Sequence, residues 1–344
     1  MNTPKETTIY DIAHKLQVSP ATVSRGLKGN PSISKKTTHR IKDMAEKMGY
    51  RANHNARNLR SQETKTIGVI IHEMHSNFII SVLAGIEKVT AEAGYDLIIA
   101  HSSESCKKEA ANAKNLFDKR VDGLIASLSF DTTDLEHFKP FREKNVPLIF
   151  FDRVEQNENY PVVIIDNTSC GYQATKHLIE QGCKRIVHIT SNLQRNVYAQ
   201  RYKGYRDALF ESGLAFEENY LLINDLSENA GIESAMKVLA MKPLPDGLFI
   251  TNDFVAAVCM QTLKANGIKI PGDIAIVGFN NDAIGKLIEP ALTTIDYPGN
   301  NMGEIAARNV LNHLKGIADI QHSKVVIIKS DLIVRQSSLK KGLP

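Results

Sequence analysis

From residue 65 to the end, short runs rich in Val, Ile and Leu alternate with amphipathic stretches, and this alternation constrains the fold more than any other feature. The runs fall at residues 66–71, 95–100, 123–127, 148–151, 162–165, 185–190, 247–250 and 274–278. Helical periodicity occupies intervals such as 80–93, 170–180 and 202–212. Strands that are apolar on both faces must be covered on both faces, and crossover helices do this. The pattern therefore predicts parallel sheets flanked by helices, an α/β body. Some 280 residues of it exceed one comfortable core, so two lobes are expected rather than one sheet. Ligands in such folds sit beyond the carboxyl ends of the strands, in the crevice where the lobes meet.

The head of the chain differs in charge. Residues 1–65 hold 13 Lys and Arg against 5 Asp and Glu, leaving 29 of the chain's 42 basic and 33 of its 38 acidic residues to the body. A basic head on a mildly acidic body points to a polyanion as the partner of the head. Three helices are predicted there. Thr8 caps the first, whose apolar positions are Ile9, Ile12, Ala13 and Leu16. A Gln17-Val18 turn leads to Ser19, which caps a second helix carrying Pro20 at its first position, where the missing N–H costs nothing. Its apolar face is Ala21, Val23, Ser24 and Leu27, and Gly29-Asn30-Pro31 stops it. Ser34 caps a third helix over residues 35–48, with Ile41, Met44, Ala45 and Met48 inward and Gly49 at its end.

Two short helices and a tight turn make a helix-turn-helix, and the third helix completes its core. In such a unit the second helix enters the major groove with its N-terminal residues leading. Pro20, Ala21, Thr22 and Arg25 are the positions presented. Arg25 is the base reader, because a guanidinium bonds both acceptors of a guanine edge; Pro20 and Ala21 offer apolar contact to a thymine methyl. Thr22, Ser24, Ser34 and Lys35, with the capping residues Thr8 and Ser19, are placed as phosphate anchors. The polar stretch at 53–61 reads on its own as a flexible linker.

Other classes fit poorly. No apolar run approaches the roughly 18 residues of a membrane helix. Residues 1–6 carry no apolar h-region, so no signal peptide is expected. The four cysteines are scattered, which suits a reducing cytoplasm with neither a disulfide framework nor a thiolate metal site. His72-Glu73-Met74-His75 is one residue short of the zinc motif. No Gly-x-Ser-x-Gly elbow, P-loop or Gly-x-Gly-x-x-Gly run is found, and no paired carboxylates form a recognisable site. We expect no enzyme, no cofactor and no metal. The alternative is a sugar-binding transport protein, which would need a signal peptide and has no use for a basic helix-turn-helix.

Longer motifs carry a resemblance. Thr8-Ile9-Tyr10-Asp11-Ile12-Ala13, Val18-Ser19-Pro20-Ala21-Thr22-Val23-Ser24-Arg25 and Gly49-Tyr50-Arg51-Ala52-Asn53 resemble the N-terminal signature of the lactose/galactose repressor family. Ala56-Arg57-Asn58-Leu59 is similar to the family's hinge helix. The resemblance implies DNA contacts from Asn53, from Leu59 as an apolar wedge in the minor groove, and from Ala56 beside it. Arg120-Val121-Asp122-Gly123-Leu124-Ile125, Thr251-Asn252-Asp253, Val277-Gly278-Phe279-Asn280 and Pro290-Ala291-Leu292-Thr293-Thr294-Ile295 are similar to the family's body, which has the periplasmic sugar-binding fold.

The implied layout is a DNA-binding domain at 1–51, a hinge and linker at 52–65, and an effector and dimerisation domain at 66–344. Three crossings between lobes give an N-lobe of about 66–163 plus 296–323 and a C-lobe of about 164–295 plus 324–344. Arg201 matches the family arginine that binds ligand hydroxyls or an anionic group, and Asp166, Asn252 and Arg195 match polar cleft positions. Asn280 stands where several members have aspartate. Leu226 occupies a position where members use an aromatic platform, so stacking falls to Phe78, Tyr198 or Phe254. The implied function is a ligand-responsive, sequence-specific transcriptional regulator, a repressor of a carbohydrate or related catabolic operon. Its expected partners are double-stranded operator DNA, a sugar or related metabolite, and a second copy of the chain. The chain carries no leucine-rich tetramerisation helix after residue 340, so a cytoplasmic, nucleoid-associated homodimer is expected.

Overall fold

A computed structural model describes residues 7–50, 63–74, 76–155, 160–320 and 325–340. The expectations for Asn53, Ala56, Leu59 and His75 lie outside these residues. The chain divides into two units, residues 1–64 and 65–344.

In the first unit, α1 (Ile9–Leu16), α2 (Pro20–Leu27) and α3 (Lys35–Lys47) surround a small core of Ile12, Ala13, Val23, Ile41 and Ala45. Each start is specified locally. The Thr8 hydroxyl accepts from the Asp11 amide while the Asp11 carboxylate accepts from the Thr8 amide, a reciprocal capping box. Ser19 and Ser34 accept from the amides of Thr22 and Thr37. The expected apolar face of α2 needs one correction: Ala21 is exposed, and Gly26 takes its place in the core. A Cβ at Gly26 would lie 2.5 Å from Ile41 Cδ1, so any larger residue there requires the Ile41 side chain to shift.

The second unit holds two six-stranded sheets. In the first, the order is β11 (Val325–Ile328), β5 (Val162–Ile165), β4 (Leu148–Phe151), β3 (Gly123–Ala126), β1 (Thr66–Ile71), β2 (Asp96–His101), all parallel. In the second it is β12 (Leu332–Ile333), β10 (Thr293–Asp296), β9 (Ala275–Asn280), β8 (Gly247–Ile250), β6 (Ile186–Thr190), β7 (Leu221–Ile223), with β12 alone antiparallel. Alternate residues serve opposite layers: Ile67, Val69 and Ile71 turn to one core and Ile70 to another. The eight strands expected from the sequence are present, with ends shifted by a residue or so. Residues 221–223, 293–296, 325–328 and 332–333 form further strands. Thr293 and Thr294 are tolerated in a buried strand because their hydroxyls donate to the Arg335 carbonyl and the Asp253 carboxylate.

β11 corrects the expected lobe boundary. Val325 to Ile328 pair in register with Val162 to Ile165, so this segment belongs to the first lobe and the third crossing follows it, at residues 329–331. An uninterrupted Val-Val-Ile-Ile run satisfies its ladder beside β5 instead of opening the second lobe.

Each lobe contains one very close helix pair. α4 (Asn77–Glu92) packs on α12 (Gly299–Leu314), and α7 (Asn167–Glu180) packs on α8 (Asn196–Glu211). A Cβ at Gly303 would lie 2.0 Å from the Val82 carbonyl oxygen, and one at Gly204 would lie 2.0 Å from that of Thr168. These contacts set the backbone distance within each lobe, and α4 and α8 begin a short loop beyond the carboxyl ends of β1 and β6.

Candidate DNA-reading face and interlobe cleft

On α2 the buried residues Val23 and Gly26 leave the opposite side to Ala21 and Arg25, one turn apart and both exposed. Pro20, Thr22 and Ser24 are half-buried around them, and Ser34 and Lys35 are exposed at the start of α3. The first turns of α2 and α3 carry no acidic residue. Their amide N–H groups and dipoles therefore favour an anion at both N-termini, and Ser19 and Ser34 sit at those ends. The Thr8 hydroxyl is committed to Asp11 at 2.6 Å. The face combines one forked cation with small neighbours, which suits insertion into a groove.

In the body, the residues expected at the cleft gather at the strand ends of both lobes. Arg201, only 3% exposed, donates from Nε to Asn167 Oδ1 at 2.8 Å and from Nη1 to the Thr251 carbonyl at 3.3 Å. Its guanidinium lies 3.6 Å from the Phe279 ring centroid and 5.3 Å from that of Tyr297. Arg195, 4% exposed, ends the loop before α8 and donates from Nη2 to the Thr132 carbonyl of the first lobe at 2.5 Å. Its Nη1 is 4.0 Å from Glu155, and among the described residues its Nε and Nη1 have no hydrogen-bond partner. Phe78 is buried and stacks on Tyr297 with centroids 4.0 Å apart. Asn280 ends β9 at φ 119°, a left-handed conformation costly for a residue with a Cβ, and such strain collects at binding sites.

Two expected residues have a structural duty as well. Asp166 caps α7 through the Ser169 amide, and Asn252 caps α10 (Asp253–Ala265) through the Val255 amide. Asp166 is exposed and Asn252 half-buried. Leu226 packs against the core of the second lobe, and Phe254 is exposed, apart from the stacked rings.

Sequence reasoning missed several members. Arg153, buried, places Nη1 at 2.7 and 2.8 Å from the two carboxylate oxygens of Glu104. Its Nη2 donates to the Tyr198 hydroxyl at 3.3 Å across the lobes, and its guanidinium lies 4.0 Å above the Phe130 ring. Asp152 accepts a short hydrogen bond from the Tyr297 hydroxyl. Burial raises the Asp152 carboxyl above the usual range, against the opposing pull of Arg153, and burial likewise raises the Tyr297 phenol. The signal was available: Asp152-Arg153 directly follows the apolar run Leu148-Ile149-Phe150-Phe151, where a parallel strand delivers its ligand residues. The cleft is thus walled by aromatic rings and supplied with fixed guanidinium donors, a surface suited to a ligand rich in acceptor oxygens.

Residues 8–53 match the family described as bacterial regulatory proteins, lacI family, and residues 64–336 match the periplasmic binding proteins and sugar binding domain of that family. The chain belongs to the lacI family of bacterial regulatory proteins. It is 31% identical to catabolite control protein A of Priestia megaterium, over 96% of this chain and 99% of that protein. The ribose operon repressor of Halalkalibacterium halodurans is 30% identical, over 90% and 91%. Among solved structures, the CelR–cellobiose complex aligns with a TM-score of 0.73 and 26% identity, covering 96% of this chain and all of that one. The Lac repressor dimer bound to operator and an anti-inducer aligns with a TM-score of 0.85 at 22% identity, covering 97% and 100%, a likeness of fold. This lacI-family chain is accordingly a DNA-binding transcriptional regulator whose relatives are regulators rather than enzymes. No helix among the described residues is long and apolar enough to cross a membrane.

Proposed function

We propose that the chain is a cytoplasmic, homodimeric repressor that reads a pseudo-palindromic operator and is switched by a sugar or related metabolite bound between its lobes. The observation that carries the effector half is Arg195, a buried guanidinium beside the lobe contact whose Nε and Nη1 have no hydrogen-bond partner among the described residues. Buried donors are normally satisfied, so the site suits an acceptor-bearing ligand. Arg201, Asn280 and Arg195 bind its oxygens, Phe78 and Tyr297 cover an apolar face, and Asp166 and Asn252 border it. Arg25 reads a base edge, Pro20 and Ala21 contact its neighbours, Ser19, Thr22, Ser24, Ser34 and Lys35 hold phosphates, and Thr8 positions α1 through its capping box. Asn53, Ala56 and Leu59 contact the centre of the site.

A second copy of the chain suits the exposed apolar side chains of the body. Ile80 and Ile99 are about half exposed at the β2 edge of one lobe, as are Ile223, Ile232 and Met236 near the β7 edge of the other. A two-fold dimer presents one reading helix to each half-site, which is why the operator is expected to be pseudo-palindromic.

A ligand touching both lobes biases their arrangement only through differential affinity, and a coupling of about 1–3 kcal/mol is ordinary. A thermal-shift screen beginning with ribose and cellobiose identifies the effector, since a ligand at 100 times its Kd stabilises by about 2.7 kcal/mol. Titration of that effector with and without saturating operator then tests the switch. Reciprocity requires the two dissociation constants to differ by the factor through which effector changes operator affinity; equal constants would refute the proposal.

A further inference from the structure

Away from the strand ends, the first lobe brings together three side chains whose spacing in sequence gives no hint of their meeting. Cys106 opens α5 (Cys106–Asp118), Glu109 follows one turn later, and His137 comes from the 3-10 turn Glu136–Phe138. One ligand atom from each lies within 4.8 Å of the others. Glu109 is fully buried: its Oε2 accepts from the Ser129 amide at 2.7 Å, and its Oε1 faces the Thr132 hydroxyl and His137 Nε2, both at 2.9 Å. Lys107 and Lys108, the cations nearest in sequence, are exposed.

We propose that Cys106, Glu109 and His137 form a binding site for a thiophilic divalent cation of the Zn2+ class. A buried carboxylate calls for compensating positive charge, and a cation shared between Glu109 and His137, which already stand 2.9 Å apart, would supply it. The surroundings add to this demand. Asp131 stands beside the cluster, its Oδ1 accepting from the Cys106 amide, and adds a further carboxylate to it. The donor set of thiolate, imidazole and carboxylate matches zinc rather than magnesium or calcium. In a tetrahedral zinc site such atoms stand about 3.3–3.6 Å apart. Reaching that spacing needs an opening of a few tenths of an ångström between Glu109 and His137, and a thiol shift of about 1 Å. The Ser129 amide on Oε2 is the outer hydrogen bond that aims Oε1 at the centre, as carboxylate ligands usually require. Cys106 is half-buried, and His137 keeps 12% of its side chain exposed, which leaves an entry path. The same loop carries the Thr132 carbonyl that accepts from Arg195, so the ion would sit under a contact between the lobes.

The test uses the full-length protein, stripped with a chelator and titrated with Co2+ and then Zn2+. One Co2+ per chain is expected, with a thiolate-to-cobalt charge-transfer band that Zn2+ abolishes. Cys106→Ser should lose that band, and His137→Gln should weaken Zn2+ binding at least tenfold. Circular dichroism of both metal-free variants should match that of the parent. A second measurement needs no variant. Cys170, Cys183 and Cys259 are buried, so Cys106 is the accessible thiol, and Zn2+ should slow its alkylation by iodoacetamide. Absence of the band, its persistence in Cys106→Ser, or unchanged alkylation with Zn2+ would overturn the proposal.

Discussion

Replacing Arg201 with alanine should destabilise the body by about 2–4 kcal/mol as well as abolish the effector response. The guanidinium donates to Asn167 Oδ1 at 2.8 Å, and Asn167 is fully buried with its Nδ2 already lacking a partner among the described residues. Orphaning Oδ1 costs about 1–3 kcal/mol. Loss of the stack over Phe279, at 3.6 Å and shielded from water, costs about 2 kcal/mol more. Relief from burying a charge offsets part of the sum. Arg201→Met, which keeps an apolar body against Phe279, should lose less. Urea unfolding of the full chain measures both variants, with the midpoint and slope read separately. Operator binding by each variant shows whether the head still works. Stability of Arg201→Ala within about 0.5 kcal/mol of the parent would refute this account of a guanidinium that is both anchor and ligand group.

Other outcomes follow from named residues. Gly303→Ala drives a Cβ to 2.0 Å from the Val82 carbonyl oxygen and should cost about 3 kcal/mol by chemical denaturation. Gly272→Ala meets its nearest neighbour at 3.4 Å and should change stability by less than about 1 kcal/mol. Burial lowers the pKa of His188 to about 3, so the native state stays neutral where the unfolded chain takes up a proton. That stability is complete above pH 6.5 and is lost as the pH falls toward 3. His188→Phe should therefore reduce the loss measured between pH 7.5 and 5.5 by about 1 kcal/mol. Arg25→Ala should cost about 1–3 kcal/mol at one base pair of each half-site, whereas Lys35→Ala should weaken all sequences alike and lower the salt slope by about one, as read by fluorescence anisotropy.

The architecture was legible where local rules and tertiary demands agree. Thr8, Ser19 and Ser34 cap their helices because side-chain acceptors at those positions have no better use, and the Val/Ile runs are strands because nothing else buries both of their faces. Four further strands were not legible. Thr293-Thr294 looks polar until Asp253 and Arg335 supply partners from distant parts of the chain, and Val325–Ile328 was assigned to the wrong lobe because only the register beside β5 decides it. In the cleft, the resemblance points to Arg201 and Arg195, and Phe78 is one of three rings proposed for stacking. Arg153 and Tyr297 were not identified, since their roles depend on Glu104 and Asp152, which lie 49 and 145 residues away in sequence. Ala21 shows the same limit in miniature: the sequence reads it both as part of the apolar face and as a position presented to DNA, and it is exposed while Gly26 is buried against Ile41.

The claim that this regulator reads a specific two-fold DNA site is tested most directly by selection from random double-stranded DNA. Rounds of binding and amplification with the full-length protein at physiological salt should converge on a pseudo-palindrome whose half-sites each contain one guanine required by Arg25. The same selection with Arg25→Ala should relax that position alone. Failure of the parent to enrich any sequence, or enrichment of a motif without two-fold symmetry, would contradict the account.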